Sequence, residues 1–291
     1  MVSIPIEYPT DLNEYELLDS GNGLKLENFA GYTISRPDPR ILWQPSLNEQ
    51  EWKNAHASYA RSSLTEGHWN IRKTPPQLWL LHFDRITMKL QPTQFKHIGV
   101  FPEQAVNWRW LTNTINGKPF RVLNLFAYTG GATIASALAS AHVTHVDSVK
   151  SVINWAKENA KLSHIPEKSI RWIEDDAYKF VLREQRRGNT YDGIILDPPR
   201  FGRGTKGEVW KLETNLPNLI SACKNILSKN PVFFLINAYT ADISSVVLGN
   251  MIEELMGGHG GTKHFGELAL QEKSRGRLLP SGIFARWQSH S

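Results

Sequence analysis

The protein has 291 residues, a formal net charge of +5 and a single cysteine, Cys223. One cysteine excludes an internal disulfide and a zinc site built from cysteines. The first twenty residues have no basic cluster before an apolar core, and no apolar run approaches the roughly 20 residues that span a bilayer. We therefore expect a soluble, cytoplasmic protein without a membrane partner. The mild positive charge is compatible with nucleic acid but is also common in enzymes.

The N-terminal part of the sequence predicts a β-rich lobe of residues 1–94, followed by a larger domain of residues 95–291. Proline, glycine and asparagine are frequent up to about residue 45. There we expect mostly irregular chain, with short strands such as residues 24–29.

Two further elements are predicted within the lobe. Residues 47–61 carry Trp52, Ala55 and Tyr59 at helical spacing, which predicts a short amphipathic helix. Residues 69–100 include a run in which side chains alternate between two faces, with polar turns on both sides. This alternation predicts a small β unit.

Residues 121–147 organise the larger domain. The mostly apolar residues 122–126 suit a buried parallel strand, and the adjacent Gly130 and Gly131 let the backbone approach a ligand and begin a helix. A second apolar pair ends at Asp147, about 20 residues after the first strand, where an acid can accept hydrogen bonds from a ribose. The pattern predicts the nucleoside half of a doubly wound sheet.

The two glycines also bear on which nucleoside is bound. A dinucleotide site needs the three separated glycines of G-x-G-x-x-G, which admit a pyrophosphate to the helix N-terminus. The adjacent pair here provides poorly for a pyrophosphate, whereas S-adenosylmethionine has a ribose and an adenine but no phosphate. A nicotinamide-dependent oxidoreductase therefore stays as a disfavoured alternative.

Two later acidic positions follow predicted strands. Asp176 and Ala177 come just after a possible third strand, and Asp197 ends an apolar strand directly before Pro198 and Pro199. The other predicted elements are helices over residues 149–165, 177–187, 212–226 and 243–256, a strand over residues 232–240, and a closing hairpin of residues 267–271 and 283–288.

These signals stand in the order and at the spacing of the motifs of class I S-adenosylmethionine-dependent methyltransferases, which the sequence resembles over roughly residues 95–287. The resemblance implies an α/β fold with a doubly wound, mostly parallel seven-stranded sheet and a terminal antiparallel strand. It also implies S-adenosylmethionine as cofactor. Together F-A-Y-T-G-G, D-P-P-R-F and G-V-F-P-E-Q look most like bacterial 23S (large-subunit) ribosomal RNA methyltransferases, although the RNA-binding domain of those enzymes is not recognisable in residues 1–94.

The resemblance further implies which residues contact the cofactor. Residues 99–104 match most of a family segment that closes over it, although Ala105 or Val106 stands near the place of the family's arginine. The implied cofactor-binding residues are Phe101, Glu103, Asn124, Phe126, Ala127, Tyr128, Thr129, Gly130, Asp147, Ser148, Asp176, Ala177 and Asp197.

Asp197, Pro198 and Pro199 match the family's catalytic D-P-P edge. When an exocyclic amine attacks, the Asp197 carboxylate and the Pro198 carbonyl can each accept one N–H. The family's next place usually holds an aromatic residue that stacks on the flipped base, whereas this sequence has Arg200 followed by Phe201. A glycine-rich loop with several cations follows, and cations attract phosphate. The expected substrate-binding residues are Arg200, Phe201, Arg203 and Lys206.

Methylation of cytosine C5 requires a thiolate that first adds to C6 of the ring. Enzymes of that type place their cysteine where this sequence has Arg200 or residues 237–239, and Cys223 lies in the middle of a predicted helix. We therefore expect methylation at a nitrogen of a ribosomal RNA nucleotide.

Other functions stay open at this point. The acceptor of a methyltransferase can also be a small molecule or a protein side chain, and a non-catalytic RNA-binding protein could keep the same fold. No metal site is expected, because the spacing of His82, His97, His142 and His145 is not that of metal ligands. Both a monomer and a homodimer are compatible with the sequence.

Overall fold

The structure is a computed structural model, and it describes residues 3–62, 67–203, 209–239 and 242–290. The strands are β1 (Ile6–Glu7), β2 (Tyr15–Gly21), β3 (Leu24–Phe29), β4 (Tyr32–Pro37), β5 (Ala57–Arg61), β6 (Gly67–Ile71), β7 (Leu80–Phe83), β8 (Ile86–Lys89), β9 (Arg121–Leu125), β10 (His142–Asp147), β11 (Ile170–Glu174), β12 (Gly193–Leu196), β13 (Phe201–Arg203), β14 (Val209–Lys211), β15 (Phe233–Ala238), β16 (Gly261–Gln271) and β17 (Leu278–Ser289). The α-helices are α1 (Glu49–Lys53), α2 (Ala105–Ile115), α3 (Gly131–Leu138), α4 (Lys150–Leu162), α5 (Ala177–Arg186), α6 (Leu212–Lys224) and α7 (Ser245–Met256).

The chain divides into two compact units. The first, which we call the sheet unit, combines residues up to Glu7, Val106–Leu268 and residues from Gly282 onward. The second, the β-rich unit, combines Tyr8–Ala105 with Ala269–Ser281, so it includes the end of β16 and the beginning of β17. The domain boundary predicted within this region, after residue 94, stays a prediction.

The sheet unit contains a sheet with the strand order β1, β16, β17, β15, β12, β9, β10, β11. Neighbouring strands from β15 to β11 are parallel, whereas β17 runs antiparallel to β15. The predicted fold class, a mostly parallel doubly wound sheet with an antiparallel strand near its end, is confirmed. The two-residue strand β1 pairs with β16 and is an additional strand.

Alternating side chains of β9 face opposite sides of this sheet, as the pleat of a strand requires. Leu123 and Leu125 belong to an apolar core with residues of α5, α6 and α7. Asn124, between them, contacts Thr133 on α3 instead. The sheet is therefore covered on both faces, which explains why its central strands are almost continuously apolar.

The β-rich unit is more regular at its N-terminus than the sequence predicts. Strands β2, β3 and β4 form an antiparallel meander, and β5 and β6 extend it to a five-stranded sheet. The prediction of mostly irregular chain up to residue 45 was wrong. Asn22 and Gly23 form the tight turn between β2 and β3, where their φ angles are positive, at 51° and 76°.

The helix predicted over residues 47–61 is confirmed only for Glu49–Lys53, and the prediction was wrong for the residues that follow. The α1 helix begins at a capping box, in which Asn48 and Glu51 each accept from the other's backbone N–H, and it ends before Asn54. The following residues form β5, because pairing with β4 and β6 outweighs a weak helical preference.

Candidate active site

The carboxyl ends of three parallel strands meet at one edge of the sheet unit. Strand β9 pairs with β10 on one side and with β12 on the other, so the chain reverses its direction of winding beside β9. Such a switch point opens a crevice in which α/β proteins bind ligands. Leu125, Asp147 and Leu196 are the last residues of these strands, and the loops that follow them form the candidate site.

The loop after β9 holds an unusual backbone conformation. Phe126, Tyr128 and Gly130 have φ angles of 55°, 49° and 90°, and two of these residues are not glycine. A hydrogen bond of 3.1 Å from the Ala127 N–H to the Val146 carbonyl ties the loop to β10. Left-handed residues other than glycine cost of order 1–3 kcal/mol and cluster where a ligand is bound.

Gly131, the first residue of α3, is required by packing. A Cβ atom at this position would lie 2.2 Å from Cζ2 and 2.6 Å from Cε2 of the buried Trp108. The indole therefore occupies the space that any other residue would need. This close approach packs the N-terminus of α3, directly after the loop that follows β9, against α2.

Asp147 anchors the loop at the end of β10. Its Oδ2 accepts from the Tyr128 N–H at 2.9 Å, and its Oδ1 accepts from the Val149 N–H at 3.0 Å. Burial raises the pKa of Asp147 above its ordinary value, and backbone hydrogen bonds from Val149, Tyr128 and Ser148 oppose that rise. Because a carboxylate has about four acceptor sites, it can still accept from a ribose.

A buried polar network supports the same loop from inside the sheet. Asn124 Nδ2 donates to Thr133 Oγ1 at 2.9 Å, and Thr133 Oγ1 lies 2.9 Å from Nδ1 of His145. Burial lowers the pKa of His145 to about 3, so its imidazole is neutral. Thr133 Oγ1 therefore joins the Asn124 amide on β9 to the His145 imidazole on β10. The sequence did not identify Thr133 or His145, because strand and helix patterns give no sign of such a contact.

Asp176 directly precedes α5 and caps its N-terminus, because its Oδ1 accepts from the Lys179 N–H at 2.9 Å. The neighbouring Asp175 N–H donates to the Asp147 carbonyl at 3.0 Å, which links the end of β11 to the end of β10. Asp176 and the buried Ala177 thus lie beyond the edge of the sheet, as predicted for the third strand.

Asp197 directly follows β12, and its N–H donates to the Leu125 carbonyl at 3.4 Å. The D-P-P segment is therefore adjacent to the loop after β9. Pro198 is buried and Pro199 is exposed, so the segment passes from the core to the surface at this point.

Arg200, which occupies the place after the prolines, is directed at two carboxylates. Its Nε lies 3.4 Å from Glu213 Oε1, and its guanidinium also pairs with Asp242. Phe201 is 53% exposed and begins the hairpin of β13 and β14. The other predicted substrate residues are Arg203, which ends β13, and Lys206, which lies outside the described residues.

Trp210, on β14, lies in the glycine-rich segment that the sequence predicts to act on the substrate, but it is not among the predicted substrate-binding residues. Its Nε1 donates to the Pro199 carbonyl at 2.7 Å, and its ring centroid lies 4.9 Å from that of Phe126. The hairpin thus contacts both the D-P-P segment and the loop after β9. An aromatic residue in a glycine-rich loop was the available signal, but the pairing of β13 with β14 was needed to place it.

The predicted cofactor residues Phe101 and Glu103 belong to the β-rich unit, where Pro102–Gln104 forms a 3₁₀ turn. Glu103 is buried, and burial raises the pKa of its carboxyl group. Their predicted contact with the cofactor stays a prediction.

Cys223 lies in α6 with none of its surface exposed, and burial raises its pKa. A buried thiol with a raised pKa is a poor nucleophile at neutral pH. Among the described residues, no group of three histidine, cysteine or acidic side chains could hold a metal ion. In the same part of the chain, no helix is both long and apolar enough to cross a bilayer.

A doubly wound sheet of this order, with an acid at the end of its second strand, is typical of nucleoside-binding α/β proteins. A family profile described as S-adenosylmethionine-dependent methyltransferase matches residues 59–232, more than half of the chain. The chain belongs to this family. The predicted family and cofactor, S-adenosylmethionine, are thereby confirmed, and the oxidoreductase alternative is disfavoured further.

Similar proteins agree with this assignment. A crystal structure of the S-adenosylmethionine-dependent methyltransferase from Agrobacterium tumefaciens is 41% identical, with a TM-score of 0.92 over 98% of this chain and 94% of that chain. Ribosomal RNA large subunit methyltransferase K/L is 31% identical over 152 residues in Shewanella frigidimarina and 35% identical over 141 residues in Vibrio parahaemolyticus. These matches cover 49% and 45% of this chain but only 20% and 19% of the relatives.

The residues at the sheet edge fit this cofactor. The Asp147 carboxylate has acceptor capacity beyond its backbone hydrogen bonds, and the pair Gly130–Gly131 opens the helix N-terminus without the third glycine that a pyrophosphate needs. A phosphate-free nucleoside is what this donor and acceptor set can accommodate.

Proposed function

We propose that the protein transfers a methyl group from S-adenosylmethionine to a nitrogen atom of a ribosomal RNA nucleotide. The observation that carries this proposal is the position of Asp197, Pro198 and Pro199 at the end of β12, one strand away from the loop after β9 and two from Asp147. A nucleoside held at Asp147 and an acceptor held at the D-P-P segment would meet at the switch point.

The cofactor supplies an electrophilic methyl group on a sulfonium. The chain's own task is to align the acceptor and to stabilise it as it gains positive charge. The Asp197 carboxylate and the Pro198 carbonyl each accept one N–H of an exocyclic amine, which aims its lone pair away from these oxygens. A ring nitrogen such as N7 of guanine has no proton to lose, and for it the carboxylate acts only by its charge.

Methylation at cytosine C5 is disfavoured because the required thiolate is missing. The sequence has one cysteine, and Cys223 is enclosed in the apolar core of the sheet unit with a raised pKa. No step of the nitrogen route needs a thiol.

Two observations support ribosomal RNA as the acceptor. The relatives from Shewanella and Vibrio are named for that substrate, and the hairpin beyond the D-P-P segment carries cations and aromatic side chains. The matches cover only about a fifth of the length of those relatives, so ribosomal RNA is proposed here from the similarity of that part alone. The predicted site residues, a cytoplasmic location and a monomeric or homodimeric state belong to the same proposal.

The experiment is methyl transfer to unmodified large-subunit ribosomal RNA, followed by mass mapping of its nucleosides. Asp197→Ala should abolish transfer while the protein still binds S-adenosylmethionine measurably, because Asp147 and the loop after β9 are unchanged. Asp84→Asn, in an exposed left-handed turn that asparagine tolerates, is the matched control and should be fully active. Transfer by Asp197→Ala, or a methyl group found on a carbon atom, would contradict the proposal. Transfer to a small molecule or protein in place of RNA would contradict its substrate half.

A further inference from the structure

The hairpin of β13 and β14 presents aromatic surface directly after the D-P-P segment. Strand β13 begins at Phe201 and pairs with β14 in the register Gly202 to Trp210. Both strands belong to the sheet unit, and the hairpin leaves the sheet at its carboxyl edge. A planar acceptor at Asp197 would therefore have this hairpin as its neighbour.

Arg200 is poorly suited to hold such an acceptor by stacking. Its guanidinium pairs with Asp242 and also lies near Glu213, in the first turn of α6. These pairs direct the N–H edges of the guanidinium toward Glu213 and Asp242. The place that usually carries the stacking ring therefore holds a cation paired with two carboxylates in this chain.

Trp210 provides an aromatic ring that is held in place next to the D-P-P segment. The hydrogen bond from its Nε1 to the Pro199 carbonyl, at 2.7 Å, fixes the indole against the D-P-P segment. Its ring also packs on Phe126 at a centroid distance of 4.9 Å and an interplanar angle of 54°, so the loop after β9 supports the indole as well. The side chain is only partly buried, which leaves aromatic surface accessible.

We propose that Trp210 is the wall on which the planar heteroaromatic ring of the acceptor stacks, in place of the residue that directly follows the prolines. The inference rests on the proposed function and deepens it, because it requires the acceptor to be a base extruded from its strand. A fixed ring next to Pro199 would hold the base in the plane in which Asp197 and the Pro198 carbonyl can reach its amine.

A purely structural role for Trp210 has different consequences. If the residue served only to brace Pro199, the indole N–H would be the important group and the ring face would not matter. Trp210→Phe keeps a ring but removes the N–H, whereas Trp210→Leu removes both. The difference between these two variants therefore isolates the aromatic face.

The test is binding of a short single-stranded RNA to the protein loaded with S-adenosylhomocysteine, with an abasic strand of equal length as second probe. Stacking tolerates any base, so the target sequence need not be known. Trp210→Leu should weaken RNA binding by about 10- to 100-fold, and Trp210→Phe by less than about threefold. All proteins should bind the abasic strand equally. Phe95→Leu is the matched control, because it removes a ring that is also 53% exposed. It should change neither the affinity for RNA nor the affinity for the abasic strand.

Three results would overturn the proposal. In the first, Trp210→Leu binds RNA as tightly as wild type. In the second, its affinity for the abasic strand falls as much as its affinity for RNA. In the third, Trp210→Phe loses as much RNA affinity as Trp210→Leu. The last result would assign the brace role instead. Thermal unfolding, measured on the same samples, reports whether each variant is folded. Failure of the proposed function would appear separately, as absent methyl transfer by a wild-type protein whose binding still depends on Trp210.

Discussion

Replacing Gly131 with alanine tests the close packing of α3 against Trp108 of α2, next to the loop after β9. The added Cβ would lie 2.2 Å from Cζ2 of Trp108, whereas ordinary contacts begin at about 3.4 Å. The ring or the helix must therefore move by more than 1 Å. Overpacking of a core costs about 1–3 kcal/mol, and alanine's better helix propensity offsets less than about 1 kcal/mol of it.

Before that offset, this destabilisation should lower the unfolding temperature by about 2–12 °C, since 1 kcal/mol corresponds to about 2–4 °C for a unit of this size. Because the loop after β9 moves with the helix, affinity for S-adenosylmethionine should fall as well. Thermal unfolding and calorimetric titration measure the two effects.

Gly258→Ala is the matched control, because a Cβ there meets no atom within 4 Å and its φ angle is not positive. The double variant Gly131→Ala, Trp108→Leu should be less unstable than the sum of its single changes, since the smaller side chain frees the space. If Gly131→Ala were as stable as Gly258→Ala, or if Trp108→Leu gave no relief, the packing argument would be refuted.

Three further predictions concern the same site. The cofactor affinity of wild type should fall as the pH is lowered through the pKa of Asp147, which burial raises above its ordinary value, because protonation removes an acceptor for the ribose. In titrations over this pH range, Asp147→Asn should bind weakly and without this pH dependence. Thr133→Val should cost about 1–3 kcal/mol in chemical denaturation, because Asn124 and His145 lose their shared partner, whereas Thr133→Ser should cost less. Cys223→Ala should retain methyl transfer at a temperature where it is folded, and loss of transfer by the folded variant would reopen thiolate chemistry.

Much of the sheet unit could be predicted from the sequence because its signals are local. Buried parallel strands are continuous apolar runs, and the turn after β9 needs glycines that are visible in the sequence. The position of Asp147 at the end of β10 could be predicted because one strand, turn and helix separate it from the start of β9 by a typical length. The order of these elements was sufficient to predict the family.

The errors and omissions arose where long-range contacts decide the structure. Residues 57–61 pair with strands on both sides, which overrides their helical spacing. The contact of Thr133 with His145 joins a helix to the second strand, and Trp210 reaches Pro199 only because the hairpin folds back. No periodicity within a single segment could indicate these contacts.

The central claim is that the edge of the sheet between β9, β10 and β12 holds a phosphate-free nucleoside. The most direct measurement is a crystal structure of the protein with S-adenosylhomocysteine. We expect both ribose hydroxyls within hydrogen-bond distance of the Asp147 carboxylate and the sulfur beside the D-P-P segment. A ribose bound elsewhere, or an empty crevice at saturating ligand, would contradict the account.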